Sequence, residues 1–153
     1  MNIHADVAAY NSDGELTLIV EVKNKLGTDS EWATKMRRNI LAHGLLPNVR
    51  FFLLALPDRF YLWKDKSSTE IEKPTYEIDA KAFLKLYFEK VHIQPEKISG
   101  MGFEILINLW LNELLQKSSL LESFKQDKNN QWLIESGLLE VIKHGRIVSE
   151  TIV

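Results

Sequence analysis

The chain has 153 residues, 45% of them hydrophobic and 26% charged, with a formal net charge of −2. That composition suits one folded domain with a sizeable core, and it argues against a disordered segment or a tight nonspecific binder of polyanions. Cysteine is absent, which excludes disulfides and zinc–thiolate sites, and the start lacks a basic region followed by an apolar run, so no signal peptide is read and a cytoplasmic location is expected.

In chain order, the first signal is Asp13-Gly14, a strong two-residue hairpin turn because a type I′ turn needs positive φ at both central positions. With that loop, Ser12 pairs with Glu15, Tyr10 with Thr17, Ala8 with Ile19, and Asp6 with Glu21. Alternation along strands then puts Asp6, Glu21 and Lys23 on one face. The other face reads Val7, Ala9, Leu16, Leu18, Val20 and Val22, a core face. Two carboxylates opposite each other on a ladder repel unless a cation lies between them. Hard oxygen ligands suit Mg²⁺ or Mn²⁺ better than zinc. Lys23 would orient an attacking water or stabilise charge developing on a phosphate. His4 falls opposite Lys23, where a partly exposed terminal histidine is the simpler reading than a metal-adjacent one.

Thr28-Asp29-Ser30-Glu31 has the form of a capping box with Thr28 as the cap, which predicts a helix to about His43 stopped by Gly44. Trp32, Met36 and Ile40 make its apolar stripe, while Lys35, Arg38 and the pair Arg37/Asn39 lie off it. The basic flank, with Lys25, either faces phosphate or is a solvated face that suits the helix dipole. Residues 51–56 form a continuous apolar run read as a strand buried on both faces, and 60–63 return as a second strand after a Pro57-Asp58 turn. Residues 65–75, with Ser67-Ser68-Thr69 and Pro74, read as a loop dividing residues 1–65 from a mainly helical part over 76–153. Asp79 caps a helix through about Lys90. A strongly apolar helix from Gly102 to Lys117 must be buried on more than one side. Glu104, Asn108, Asn112 and Glu113 interrupt it, so it is too short and polar to span a bilayer. A helix over 132–143 and a terminal strand over 146–153 complete the chain.

Asp6 with Glu21-Val22-Lys23 resembles the PD-(D/E)xK nuclease superfamily, whose core runs helix, three antiparallel strands, helix, strand. The resemblance covers residues 1–65 and implies an α/β (α+β), restriction endonuclease-like core with a mixed central sheet flanked by helices. It implies Asp6 and Glu21 as metal ligands, with the backbone carbonyl of Val22, and Lys23 as the catalytic lysine. The implied activity is Mg²⁺- or Mn²⁺-dependent hydrolysis of phosphodiester bonds in nucleic acid, DNA above all, with a metal-bound water as nucleophile. Lys25, Lys35 and Arg38 are the expected nucleic-acid contacts. Ala5 stands where the family usually has proline. The family's first helix, often the source of an acidic residue, and its first strand have no room before Asp6. The open edge beside residues 5–10 would then pair with this chain's terminal strand or with a second subunit in a homo-oligomer. The alternative function is a nuclease-like module that no longer cuts and serves in nucleic-acid binding or assembly.

Overall fold

The computed structural model describes residues 4–42, 49–66, 71–117 and 122–153. Its strands are β1 (His4–Tyr10), β2 (Leu16–Val22), β3 (Phe51–Ala55), β4 (Arg59–Lys64), β5 (Tyr76–Asp79) and β6 (Arg146–Ile152). The helices are α1 (Ser30–Ala42), α2 (Lys81–Val91), α3 (Gly100–Lys117), α4 (Glu122–Gln126), α5 (Gln131–Glu135) and α6 (Leu138–Ile142), with short 3₁₀ turns at Pro95–Lys97 and Lys128–Asn130. The expected helix stop at His43-Gly44 and the Ser67-Ser68-Thr69 segment lie outside the described residues.

The strands form one mixed sheet in the order β5-β4-β3-β2-β1-β6. β2 and β3 are parallel, and every other neighbouring pair is antiparallel. A parallel neighbour needs a crossover connection, and α1 is that crossover. The apolar run of β3 is buried along its whole length, as its double-sided burial requires. β6 pairs with β1 from His4↔Ile152 to Tyr10↔Arg146, so the edge beside β1 is filled by the chain's own terminal strand. Among the described residues no helix is long and apolar enough to cross a membrane.

Two cores cover the sheet. On one side α1 lays Ala33 and Leu41 over Ala8, Ile19, Phe52, Leu54 and Trp63. On the other, α2, α3, α5 and α6 cover Val7, Val20, Leu53, Phe60 and Leu62. There Phe60 meets Trp110 edge-on at 5.3 Å and Trp132 at 6.1 Å, geometries that add to simple burial.

Several elements depart from the sequence reading. The hairpin closes through three residues: the Asn11 carbonyl accepts from Gly14 N–H at 3.0 Å, and Gly14 alone in that loop has positive φ, at 80°. Tyr10 therefore pairs with Leu16, and an irregularity between Ala9 and Tyr10 restores the expected Ala8↔Ile19 register. Asp29, not Thr28, caps α1, its Oδ1 accepting from Trp32 N–H at 2.8 Å, because the Thr28 hydroxyl is bonded to that of Tyr61. Arg37 is not on the solvated flank. It is buried, its guanidinium 5.4 Å from the Trp63 ring and 5.9 Å from Phe52, so two aromatic faces replace part of its hydration.

Residues 76–79 form β5 before any helix starts, and Ala80 rather than Asp79 precedes α2. α3 is buried along one broad face, since Met101, Ile105 and Leu109 are exposed. The expected single helix over 132–143 is two short ones, broken at Gly137 with φ 83°. One glycine is set by space alone: a Cβ on Gly145 would lie 1.9 Å from the Tyr10 carbonyl oxygen, where β6 docks on β1. Gly145→Ala is expected to push the strands apart and cost about 3 kcal/mol, or roughly 10 °C in Tm, measured by thermal denaturation.

Candidate metal centre

The centre sits where β1 and β2 part. The regular β1–β2 pairing begins at Val7↔Val20. Just before it, the Asp6 carboxylate takes the place of a backbone acceptor and receives the Val22 N–H at 2.8 Å. Ala5 packs in the α1-side core beside Ala8, so strict alternation is interrupted at Asp6. On the opposite side of β1, Glu150 of β6 adopts φ 49°, a left-handed conformation that costs a residue with a side chain about 1 kcal/mol. Both neighbours of β1 are thus irregular at the same level, and the side chains there converge.

Glu21 is buried, at 7% exposure, and its carboxyl lies within hydrogen-bonding reach of Asp6. Burial, followed by the nearby Asp6 charge, pushes its pKa up to about 8, while Lys23 pulls the other way. Glu104, from α3, reaches Glu150 in the same way, and burial and these acidic neighbours raise its pKa to about 7. His4 Nε2 lies 2.9 Å from Glu150. Ligand atoms of His4, Asp6 and Glu150 all fall within 4.8 Å of one another. His4, Asp6 and Glu150 thus form a tight ligand cluster, which Glu21 adjoins through Asp6 and Glu104 adjoins through Glu150, and Glu21 and Glu104 hold their protons more tightly than ordinary carboxyls. Such a set fits a hard divalent cation, whose charge would offset the repulsion that protons now relieve.

The two expected carboxylate ligands, Asp6 and Glu21, do meet. Lys23 follows at the end of β2, its N–H bonded to the Ala55 carbonyl at 3.0 Å and its ammonium close enough to act on Glu21. His4 is tied to Glu150 and pairs in the ladder with Ile152, not with Lys23. Lys25 lies over the Trp32 ring at 5.5 Å, and Lys35 and Arg38 are exposed on α1. Among the described residues no contact joins these three cations to the carboxylate cluster. Pro57-Asp58 is the turn between β3 and β4, with Asp58 Oδ2 holding the Gly27 N–H at 3.1 Å.

Sequence reasoning missed Glu104 and Glu150. For Glu104 a signal existed: a carboxylate set between Phe103 and Ile105 near the start of a strongly apolar helix needs a partner. Glu150 carried none, since its role depends on which strand β6 joins.

The raised values fix a pH dependence. A carboxyl whose folded pKa exceeds its unfolded one holds its proton more tightly when folded, so its stabilisation is full below the unfolded value and is lost as pH rises through the folded one. For Glu21 that window runs from 4.5 to about 8. Metal-free protein should lose stability across it, and Glu21→Gln should flatten the loss. Mg²⁺ at a hundredfold excess over its Kd should restore about 2.7 kcal/mol to the wild type at pH 8 and nothing to the variant. Thermal melts with and without Mg²⁺ check this, and an unchanged Mg²⁺ shift in Glu21→Gln would remove Glu21 from the site.

No protein-family model matches this chain, and no curated protein or solved structure matches it significantly.

Proposed function

We propose that the protein is a divalent-metal-dependent nuclease of the PD-(D/E)xK kind. The observation that carries this reading is the contact between the Asp6 and Glu21 carboxyls with Lys23 two residues on, joined by Glu104 from a helix on the far side of the sheet. Element order supports it. Taken cyclically from α3, past the short helices α4–α6, the order is helix, three antiparallel strands (β6, β1, β2), helix (α1), then β3 beside β2. That is the core order the resemblance implies, with α3 and β6 in the places of the family's first helix and first strand. Glu104 would then supply the acid that the family's first helix often provides.

Asp6 and Glu21 would hold Mg²⁺ or Mn²⁺, with the Val22 carbonyl and Glu104 as further oxygens. When bound, the cation would supply Lewis acidity toward a phosphate oxygen and neutralise the carboxylates. The chain's own contributions are separate. The Val22 N–H fixes the rotamer of Asp6, and β3 fixes the strand end that carries Lys23 through the Lys23 N–H bond to Ala55. The Lys23 ammonium would hold the attacking water and stabilise the negative charge that builds on the phosphate oxygens as the bond to the leaving oxygen breaks. Lys25, Lys35 and Arg38 would neutralise phosphates farther along the strand.

Cleavage of plasmid and single-stranded DNA with Mg²⁺ or Mn²⁺ tests the reading. Cutting is expected only with metal, and Lys23→Ala should slow it by about a hundredfold or more without lowering Tm. Glu104→Gln should weaken metal dependence by about tenfold to a hundredfold. Failure of the folded wild type to cut either substrate or RNA would overturn catalysis and favour the non-cutting module.

A further inference from the structure

A cleft of about 560 Å³ opens beyond the loop that follows β2, and none of its lining residues belongs to the carboxylate cluster. Its walls are segments leaving the carboxyl ends of the parallel pair. Leu26 comes from the loop after β2, Pro57 and Asp58 from the turn after β3, and Lys81, Lys85 and Phe88 from α2. Pro95 and Glu96 of the first 3₁₀ turn close it. The crevice outside the carboxyl ends of parallel strands is where open α/β sheets bind ligands. Leu26 is three residues beyond Lys23, so their Cα atoms are at most about 10 Å apart. The wall between them is held in place: Asn24 Nδ2 donates to the Ile98 carbonyl at 3.3 Å, and Gly27 N–H donates to Asp58 at 3.1 Å.

The lining is chemically divided. Leu26, Pro57, Phe88 and Pro95 give an apolar floor large enough for a small ligand. Lys81 and Lys85, one helical turn apart on α2, present two ammonium groups on one flank, and both are exposed. Among the described residues Lys85 is engaged only by Glu89 at 3.9 Å, a long exposed pair of little strength. Exposed Glu96 offers an acceptor in the lining, while Asp58 Oδ2 is held by the Gly27 N–H. A flat apolar body with N–H donors along its edge and a negative charge at one end matches all three parts.

We infer that this cleft takes one unpaired base of the substrate strand, next to the phosphate held at Lys23, with the following phosphate between Lys81 and Lys85. The inference rests on the nuclease reading for the position of the first phosphate, and it names the substrate class: single-stranded nucleic acid. A paired base cannot enter the cleft without leaving its duplex, which costs a few kcal/mol.

The test is equilibrium binding of a fluorescein-labelled single-stranded DNA hexamer, and of the same sequence as a duplex, in EDTA so that nothing is cut. Wild type should bind the single strand at least tenfold more tightly than the duplex. The double variant Lys81→Glu/Lys85→Glu, altered only at exposed positions, should lose tenfold or more in affinity and about one from the salt-dependence slope. It should raise KM for single-stranded substrate while leaving kcat within about twofold. Asp6→Asn should bind the hexamer as wild type does, since the cleft is separate from the metal ligands. Equal affinity for the duplex, or an unchanged hexamer affinity in the folded double variant, would overturn the inference while leaving nuclease activity standing. Hexamer binding lost in the double variant, from a protein that never cuts, would uphold the nucleotide cleft and overturn catalysis. A concentration-dependent dimer abolished by Leu26→Asp, with hexamer affinity unchanged in that variant, would show that the cleft seats a second copy and would also overturn it.

Discussion

The bond from Val22 N–H to the Asp6 carboxylate, 2.8 Å long, decides how the first two strands part, and the rest of the candidate site follows from that parting. Had β1 continued its ladder, a backbone carbonyl would fill that place and the Asp6 carboxylate would not be tied to β2. With the side chain in the ladder, the strand turns by one position, Ala5 joins the α1-side core, and room opens at the level of Asp6. Glu21 enters that room from one side. Glu150 enters from the other by accepting a left-handed backbone. A hydrogen bond to a charged acceptor is worth about 1.5 to 3 kcal/mol, enough to offset the lost ladder contact.

The strain collected here is electrostatic as well as conformational. Burial disfavours a charged Glu21, and the carboxyls of Asp6 and Glu104 stand close by. A protein selected for stability alone would place Leu or Thr at these positions. The fold instead keeps the arrangement rigid through elements that owe nothing to it. The aromatic cluster of Phe60, Phe83, Trp110 and Trp132 locks α3 onto the sheet and so fixes where Glu104 stands. Local frustration borne by a well-packed surround is the usual mark of a working site.

How much of this could be read from the sequence depended on distance along the chain. β3 and β4 were plain because continuous apolar runs of six and four residues leave little choice, and Asp6 met Glu21 because their register depends on one nearby turn. Even that turn was misjudged: the three-residue loop and the irregularity at Ala9–Tyr10 cancel, returning the strands to the expected register. β5 was missed because its alternation, Tyr76-Glu77-Ile78-Asp79, spans only four residues and Asp79 reads equally well as a helix cap. The split between α5 and α6 was missed because a glycine within a helical pattern is tolerated unless, like Gly137, it must take positive φ. Arg37 looked solvated because charge usually means solvent, yet it packs against the rings of Phe52 and Trp63. Glu104 and Glu150 join the site only through packing between the two halves of the chain, which no local pattern encodes.

The pairing of β6 with β1 has a consequence for how the protein is made. Until residues 146–152 have been synthesised, β1 presents a row of unpaired N–H and C=O groups beside a finished hairpin. At ordinary elongation rates that interval is on the order of ten seconds, much longer than a hairpin needs to form. A nascent chain would spend that time with a sticky edge and with the Asp6 level of the sheet unsupported. Closing the sheet from its last strand also gives the fold a high contact order, which slows the final step. The carboxylate cluster is therefore assembled last: the fold must be complete before the site exists.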